Sequence, residues 1–201
     1  MPFNTLAELC TAAKSCTSCD LSRTRTNVVP GEGNEHAQIL FIGEGPGYNE
    51  DQQGRPFVGA AGKLLDELIG SIGLKRPDVY IANVVKCRPP GNRDPLPNET
   101  EACAHWLDEQ IALIKPKLIV TLGRHSMAKF LPNQTISKIH GTPRKVGAVT
   151  VFPVHHPAAA LYQQSLKETL LDDFKKIPAL LKEAAAAELP PPPKPAQGKL
   201  F

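Results

Sequence analysis

The sequence predicts an α/β protein: a three-layer α/β/α sandwich around a central, mainly parallel, four-stranded sheet. Two observations support this fold class. Short apolar runs of strand length alternate along the chain with longer amphipathic stretches of helix length. Polar motifs directly follow three of the apolar runs, and in open parallel sheets the ligand-binding residues gather at the carboxyl ends of the strands. We therefore expect strand–helix–strand units with helices on both faces of the sheet.

The predicted elements follow one another in a regular order. Each predicted strand is a short apolar run, namely QILFIG (38–43), VYIANVV (79–85), KLIVTLG (117–123) and VTVFPV (149–154). A helix over 60–73 has a single apolar face, made by Leu64, Leu65, Leu68 and Ile69. Another helix over 98–115 has Asn98 as its expected N-cap. Further helices are predicted over 124–131, 157–164 and 167–187.

Length and composition indicate one folded domain over residues 1–188 and an extended tail over 189–201 that begins with a run of prolines. The chain has 201 residues, of which 41% are hydrophobic. The start, MPFNTLAELCTAAKSC, lacks the features of a secretory signal, and no stretch approaches the ~20 apolar residues of a membrane span. We therefore expect a cytoplasmic protein with reduced thiols and no membrane partner. The net charge of +3 permits a nucleic-acid partner without requiring one.

The motif GEGPGYNED follows the first predicted strand. Its glycines do not form the dinucleotide-binding pattern G-x-G-x-x-G, because Tyr48 occupies the position of the last glycine. They instead predict that the backbone near Gly45 approaches a ligand closely, with Glu44 at the end of the strand. The alternative is a tight turn with a solvated glutamate.

Two further motifs follow the second and fourth strands. The proline-stiffened loop KCRPPGNRDPLP is suited to phosphate contacts, although a solvated loop is an equally simple interpretation. Its polar candidates are Lys86, Arg88, Asn92 and Arg93. The motif HHP contains His155 and His156, and the alternation of a strand predicts that they face opposite sides.

Four of the five cysteines form a pattern typical of a metal site. Cys16 and Cys19 are a C-x-x-C pair, Cys87 follows the second strand, and Cys103 lies on the next helix. Four thiolates fit either a tetrahedral metal ion or an iron–sulfur cluster, and the spacing does not choose between zinc and iron–sulfur. Cys10 is the remaining cysteine.

Taken together, these motifs resemble the family 4 uracil-DNA glycosylases, the iron–sulfur group of bacteria and archaea. The similarity extends over nearly the whole chain and includes, in order, CTSC, GEGPGYNEDQQGRPFVGAAGKLL, ANVVKCRPPGNRDPLPNE, the cysteine at 103, LG at 122–123 and HHPA. The resemblance implies a catalytic domain that removes uracil from single- and double-stranded DNA, with an N-terminal segment that binds a [4Fe–4S] cluster. The implied cluster ligands are Cys16, Cys19, Cys87 and Cys103.

The resemblance also implies a base pocket. Phe57 would stack on the extruded base, and the side-chain amide of Asn83 would bind the donor and acceptor on the edge of uracil. Gly45 would lie against the base. Glu50, paired with Asp51 in this motif, is the expected block against the 5-methyl group of thymine, and Asp51 is also expected to bind the substrate.

The implied chemistry is hydrolysis of the N-glycosidic bond without a lyase step. His156 would donate a hydrogen bond to uracil O2 as charge develops there, and Glu44 would position the attacking water with help from Asn92. The loop after the second strand has no histidine for a covalent bond to DNA, which favours a turning-over enzyme. The expected DNA contacts are Lys86, Arg88, Arg93 and, as a wedge into the base stack, Leu161 with Tyr162 beside it.

Other interpretations stay open at this point. The chain resembles an active enzyme, but a non-catalytic cluster- or zinc-containing nucleic-acid-binding module of the same fold is the main alternative. A glycosylase acting on other deaminated or mismatched bases and a four-cysteine zinc scaffold are two more. We expect a monomer. The terminal QGKLF, with Gln197, Leu200 and Phe201, resembles the short peptides that dock on bacterial sliding clamps.

Overall fold

The computed structural model describes residues 3–186 and contains one mixed sheet of six strands in the order β1-β3-β2-β4-β6-β5. The strands are β1 (Glu32–Gly33), β2 (Ile39–Gly43), β3 (Tyr80–Asn83), β4 (Leu118–Leu122), β5 (Arg144–Val146) and β6 (Val149–Val154). The four central strands are parallel to one another, while β1 and β5 pair antiparallel at the two ends. The α/β class is confirmed, but the predicted strand count of four omitted the two end strands.

The helices cover both faces of the sheet. They are α1 (Leu6–Lys14), α2 (Tyr48–Gln53), α3 (Ala60–Ser71), α4 (Pro97–Ile114), α5 (Arg124–Phe130), α6 (Ile136–Ile139), α7 (Pro157–Ala160), α8 (Gln164–Phe174) and α9 (Ile177–Ala186). The helix predicted over 167–187 is two helices, α8 and α9. The expectation that Asn98 caps α4 is wrong: the helix begins at Pro97, and the Glu99 carboxylate accepts a hydrogen bond from the Leu96 N–H at 2.8 Å.

Burial on both faces of the central strands explains their sequences. Every residue of β2 and of β4 is buried, as expected for parallel strands between two helical layers. Leu40 and Ile42 face the layer formed by α1 and α4, whereas Ile39 and Phe41 face α3, α8 and α9. The two apolar clusters therefore lie on opposite faces of one sheet, and the alternation of side chains along each strand separates them.

The sheet ends in two very short strands. β1 has two residues and pairs with β3, and β5 has three residues and forms a hairpin with β6. The sequence of β5 is RKV, and Arg144 and Lys145 are exposed. Because neither strand is an apolar run, hydrophobic patterning did not reveal them.

Among the described residues, no helix has both the length and the apolar character needed to cross a membrane. The predicted tail over 189–201, with Gln197, Leu200 and Phe201, lies outside the described residues.

Candidate active site and cysteine cavity

A cavity of about 290 Å³ opens at the carboxyl ends of the parallel strands, close to the lower limit of common ligand pockets. Segments that follow β2, β3 and β6 form its wall. Its lining includes eight of the residues predicted for the site or its flanks, namely Glu44, Gly45, Glu50, Phe57, Asn83, Asn92, Arg93 and His156. The fold therefore brings together residues that are more than one hundred positions apart in the sequence.

Asn83 is the last residue of β3 and is 2% exposed. Its Oδ1 atom is buried without a hydrogen-bond partner in the protein, which is unusual for a buried amide. Gly43 faces it from β2, and a Cβ atom at Gly43 would lie only 2.4 Å from that oxygen. The absence of a side chain at Gly43 thus leaves room for the amide at the pocket wall.

Phe57 is held in the pocket by a strained and well-supported backbone. Its φ is +52°, in the left-handed region that non-glycine residues rarely adopt. The Phe57 carbonyl accepts a hydrogen bond from Arg76 Nη1 at 3.1 Å, and a Cβ at Gly62 would lie 1.9 Å from the same oxygen. The Phe57 ring lies 5.9 Å from the His156 ring, centroid to centroid. The two rings flank the cavity.

The carboxylates of the neighbouring pair Glu50 and Asp51 serve different parts of the molecule. Glu50 lines the cavity, and its Oε1 accepts hydrogen bonds from Val58 N and Gly59 N, both at 2.9 Å. Asp51 is 2% exposed and accepts from the backbone N–H of Thr26 at 2.9 Å. The structure corrects the expectation that Asp51 binds substrate, because its carboxylate fixes the segment that follows the pair Cys16 and Cys19.

His156 is the N-cap of α7, and this position selects its tautomer. Its Nδ1 accepts a hydrogen bond from the Ala158 N–H at 3.0 Å, so the proton of the neutral ring lies on Nε2. Burial lowers the pKa of His156 to about 4, and the charge of His125 contributes in the same direction. His156 is therefore a neutral Nε2–H donor at neutral pH.

His155 has different surroundings from His156. Its ring contacts that of His140, with centroids 4.6 Å apart, and burial lowers its pKa. His140 Nδ1 lies 2.7 Å from the buried carboxylate of Asp173. His155 is not among the residues that line the cavity. The two histidines thus face different surroundings, as the strand alternation predicts.

Glu44 follows β2 and is 28% exposed. Burial raises the pKa of its carboxyl group, His125 lowers it, Asp94 raises it, and Arg124 lowers it, with an increase as the net result. His125 and Asp94 come from the segments that follow β4 and β3. Three strand ends therefore place charged groups around this carboxylate.

Two of the polar side chains of the loop after β3 have partners within the loop. Asn92 lines the cavity with φ of +55°, and its Oδ1 accepts from Arg88 Nε at 2.7 Å. The Arg88 guanidinium lies 5.1 Å above the ring of Tyr48, an aromatic side chain that is 57% exposed. Arg93 forms a double hydrogen bond with Glu99, at 2.6 and 2.8 Å. These contacts fix the loop at the mouth of the cavity.

Lys86 is buried in the core and is 1% exposed. Its Nζ donates to the Asn83 carbonyl at 2.8 Å and to Gln110 Oε1 at 2.6 Å, and burial lowers its pKa to about 8. The structure corrects the expectation that Lys86 contacts DNA, because its amine lies inside the protein. The side chain instead supports the backbone of the residue that lines the pocket.

The predicted wedge residue Leu161 is 40% exposed at the end of α7, and Tyr162 beside it is 93% exposed. Large apolar side chains are usually covered in a folded domain. Their exposure immediately after the helix capped by His156 leaves both free to contact a partner at the pocket mouth.

A second, smaller cavity is lined by the four cysteines of the metal-site pattern, Cys16, Cys19, Cys87 and Cys103. The remaining cysteine, Cys10, lies elsewhere, with its sulfur 3.9 Å from Tyr80 Oη. None of the five forms a disulfide. The structure thus brings together the four cysteines that the sequence grouped and leaves the fifth apart.

Three of the four sulfurs accept hydrogen bonds from N–H groups. Arg25 Nη1 donates to Cys87 Sγ at 3.2 Å, the Lys86 backbone N–H to Cys103 Sγ at 3.3 Å, and Trp106 Nε1 to Cys16 Sγ at 3.4 Å. Burial raises the pKa of the Cys103 thiol to about 11. A bound cation would be needed to hold that sulfur as a thiolate.

Sequence reasoning missed several residues that build the site. Arg76 supports the Phe57 carbonyl but lies outside every motif. Asp94 is within the quoted loop motif, and His125 follows the third predicted strand almost directly. Their positions at strand ends were a signal that could have identified both, since polar residues there converge on one edge of the sheet.

The fold and the pocket define an α/β protein with a cavity between an aromatic side chain and a histidine at the carboxyl edge of its sheet. Comparison with known proteins names the group. The family model of the uracil DNA glycosylase superfamily matches residues 30–182. The chain belongs to the uracil DNA glycosylase superfamily.

Individual relatives are similar over most of their length. The chain is 53% identical over 173 residues to the type-4 uracil-DNA glycosylase of Archaeoglobus fulgidus, covering 81% of this chain and 86% of the relative. It is 54% identical to the type-4 enzyme of Sulfurisphaera tokodaii, with 81% and 79% covered. The type-4 enzyme of Thermotoga maritima is 47% identical, with 85% and 91% covered. The resemblance seen in the motifs is thereby confirmed.

Proposed function

We propose that the protein is a monofunctional uracil-DNA glycosylase, which hydrolyses the bond between uracil and deoxyribose and leaves an abasic site in DNA. One observation carries the proposal. The buried amide oxygen of Asn83 has no partner in the protein, and it faces a cavity flanked by Phe57 and His156. An unpartnered acceptor in a pocket is a ligand-binding group, because burial without a partner is costly.

The base is selected by stacking and by a pair of hydrogen bonds. A uracil that has left the helix stacks on Phe57, and its N3–H donates to Asn83 Oδ1 while Asn83 Nδ2 donates to its O4. Cytosine has the reverse donor and acceptor pattern at these atoms. Glu50 narrows the remaining corner, and its bonds to Val58 N and Gly59 N keep it fixed there against the methyl group of thymine.

The glycosidic bond breaks with its electron pair moving onto the uracil ring, so that negative charge develops on O2. The neutral His156 donates its Nε2–H to that oxygen without transferring the proton. A fixed donor of this kind is typically worth about 3 kcal/mol in the transition state. The hydrogen bond from Ala158 N to Nδ1 fixes the orientation of the His156 ring before the substrate binds. It leaves the Nε2–H free to donate to the substrate.

A water molecule then adds to C1′ of the sugar and supplies the hydroxyl of the abasic product. Glu44 orients this water and stabilises the cationic sugar, with Asn92 as a second contact. The oxocarbenium-like sugar is reactive enough that strong general-base catalysis is not required. The water loses one proton, and the uracil anion takes up one proton on release, so the reaction is a balanced hydrolysis.

The DNA strand is expected to cross the mouth of this pocket, with Arg88 and Arg93 near its phosphates and Leu161 in the space left by the base. Both single- and double-stranded uracil-containing DNA are proposed substrates. The three side chains lie in segments that follow β3 and β6, on the same edge of the sheet as the pocket.

The cysteine cavity fits a [4Fe–4S] cluster held by Cys16, Cys19, Cys87 and Cys103. Within residues 3–186, no three cysteine sulfurs lie within 4.8 Å of one another. A single zinc ion with Zn–S bonds of about 2.3 Å would require sulfurs closer together than this. The N–H donors to three sulfurs suit thiolates that share negative charge with a cluster. When bound, the cluster supplies a cross-link between the N-terminal segment and the loop after β3.

The remaining proposals concern the ends of the chain and its setting. We propose a catalytic domain over 1–188 and a tail over 189–201 whose Gln197, Leu200 and Phe201 bind a sliding clamp. Two adjacent apolar residues can fill a preformed groove in such a partner. We also propose that the enzyme acts as a monomer in the cytoplasm, where thiols stay reduced.

Incubation with matched oligonucleotides tests the central proposal. Single- and double-stranded DNA with one uracil should be converted to an alkali-sensitive product, whereas the same DNA with thymine or cytosine should not. Free uracil should appear in equal amount. Release of hypoxanthine at a similar rate would instead support the broader glycosylase, and binding without release would support the non-catalytic module.

A further inference from the structure

A group of charged side chains lies next to Glu44, on the side away from the base. Glu44 Oε2 lies 3.6 Å from His125 Nε2, and the same nitrogen lies 3.2 Å from Asp94 Oδ2. The three residues follow β2, β4 and β3, respectively. When this imidazole carries a proton, it lies within ion-pair distance of both carboxylates.

Arg124 completes the group and gives the imidazole of His125 a second possible hydrogen-bonding state. Its Nη2 donates to Asp94 Oδ2 at 2.6 Å, and its Nε donates to His125 Nε2 at 2.9 Å. A guanidinium cannot accept a hydrogen bond, so this contact requires an unprotonated Nε2. His125 therefore either accepts from Arg124 as a neutral ring or forms ion pairs with Asp94 and Glu44 as a cation.

We propose that His125, held by Asp94 and Arg124, is a positioning residue that keeps Glu44 in its carboxylate form and orients it toward the water. The inference rests on the proposed function, because it concerns the same carboxylate. A protonated His125 places a positive charge 3.6 Å from the Glu44 carboxylate, which favours the ionised form of that carboxylate.

The electrostatic effects on the two catalytic side chains agree with this role. Burial raises the pKa of Glu44, whereas His125 and Arg124 lower it and Asp94 raises it. Burial and His125 both lower the pKa of His156. A single cation at His125 thus favours an ionised Glu44 and a neutral His156, which are the two protonation states that the proposed reaction needs.

Three other charged groups near Glu44, namely Glu50, Arg93 and Lys129, already have partners. On the pocket side, Glu50 accepts two backbone N–H groups, and Arg93 is paired with Glu99. A neighbouring cavity shared by Glu44 and His125 also contains Glu101 and Lys129. Lys129 is paired with Asp108 at 2.7 Å. These partners leave the group of His125, Asp94 and Arg124 as the one in direct contact with Glu44 in the described part of the chain.

The dependence of the single-turnover rate on pH tests the proposal. The full-length, cluster-loaded protein is used in excess over a uracil-containing oligonucleotide from pH 5 to 9. The variants are His125→Ala, His125→Gln, Asp94→Asn and Arg124→Gln. His36→Ala is the matched control, because His36 is exposed and precedes β2, whereas Glu44 follows that strand. Thermal unfolding of each variant reports separately on the fold.

The expected shifts have opposite signs. Loss of the cation in His125→Ala should move the acidic limb of the profile up by about 0.5–1 pH unit, since an opposite charge within ~4–6 Å lowers a carboxyl pKa by about 1–3 units and this pair is partly exposed. Asp94→Asn should move the acidic limb to lower pH. Arg124→Gln should move the acidic limb to higher pH, by less than His125→Ala does. On the plateau, His125→Ala should lose about fivefold, the size of one ordinary hydrogen bond, because the Arg124–His125 bond that holds the group in place is removed, and His125→Gln should recover most of that loss.

A merely structural role for His125 would not produce limbs that move in opposite directions. Unmoved limbs in an active enzyme, or shifts of His125→Ala and Asp94→Asn in the same direction, would overturn this inference alone. A wild-type protein that releases no uracil would overturn the proposed function and this inference with it.

Discussion

The base pocket and the cysteine cavity lie at the two ends of the same short segment, residues 83–87, but they differ in how their acceptor atoms are hydrogen-bonded. In the pocket one buried acceptor, the Oδ1 of Asn83, is left without a partner in the protein. In the cavity three of the four sulfurs already accept N–H groups from Arg25, Lys86 and Trp106. A site for a transient ligand keeps its acceptors free, whereas a site for a resident group surrounds it with donors.

This difference separates the expected effects of substitution. Changes in the pocket should reduce the rate of uracil release while leaving the fold intact. Changes in the cavity should reduce stability first, because the four cysteines join the N-terminal segment, the loop after β3 and α4. Lys86 lies between the two sites and donates to the carbonyl of Asn83. A substitution of Lys86 is therefore the change most expected to affect both uracil release and stability.

The largest effect is expected from Asn83→Asp. The charged carboxylate lacks the N–H that donates to uracil O4, and a mismatched buried polar pair costs several kcal/mol, so the rate of uracil release should fall by about 10²–10⁴. Single-turnover kinetics on a uracil-containing oligonucleotide measure it. Asn49→Asp, at an exposed position on α2, is the control. Uracil release at the wild-type rate by Asn83→Asp would remove this side chain from the site.

His156→Ala should have the next largest effect. Loss of one donor to a developing oxyanion should reduce the single-turnover rate by about 10²–10³, with little change in DNA affinity, because the bond strengthens only in the transition state. His155→Ala is the matched variant and should act through stability or modest positioning. Equal rate losses in both variants, with unchanged thermal stability, would contradict the division between the two histidines.

The cysteine cavity gives the third prediction, which concerns stability. Anaerobically purified protein should be brown with about four iron atoms per chain, the content of a [4Fe–4S] cluster. Cys87→Ser should lose the colour and lower the midpoint of thermal unfolding, since metal-binding energy is folding energy. Cys10→Ser should keep both. A colourless wild-type protein with one equivalent of zinc would favour the zinc scaffold instead.

A smaller effect should appear in the pH dependence of stability. The pKa of His156 is about 4 in the folded protein, below the ordinary histidine value of 6.5. Between these pH values the unfolded chain binds a proton that the folded chain does not, so the free energy of unfolding should decrease as the pH falls through this window. His156→Gln should reduce that decrease by on the order of 1 kcal/mol, allowing for the partly exposed ring. Denaturant titrations of both proteins at pH 7 and 4.5 measure the difference.

The smallest effect should come from removal of residues 189–201. The truncated protein should release uracil from short oligonucleotides at the wild-type rate, because every residue proposed for the reaction lies within residues 3–186. In a fluorescence-anisotropy titration, the terminal peptide should bind the clamp of the same organism, and the peptide with Leu200→Ala and Phe201→Ala should not. No binding of the intact peptide at micromolar clamp would refute the clamp proposal.

The sequence predicted the central strands and the grouping of four cysteines because both depend on local pattern. The runs at 38–43 and 149–154 are apolar enough to identify buried strands without further information. The end strand at Arg144 was missed because its pairing with β6, not its own sequence, makes it a strand. The resemblance likewise identified Asn83 and His156, which lie in the cavity.

The sequence predictions that failed did so for physical reasons as well. Lys86 and Asp51 belong to types that are usually exposed, and nothing in the neighbouring sequence shows that Gln110 and Thr26 provide hydrogen-bond partners for them. The contacts of Arg76 and His125 depend on how distant segments meet. Such contacts follow from the tertiary fold and have no local signal.

The two short end strands have a consequence for how copies of the protein behave at high concentration. A long, flat strand at the edge of a sheet offers free backbone groups to the same strand of another copy, which leads to aggregation. β1 has only two residues, and β5 has three, of which Arg144 and Lys145 are exposed cations. Neither offers a template long enough for stable pairing, and like charges on β5 repel a second copy. The parallel centre of the sheet is thereby shielded from self-association in a crowded cell.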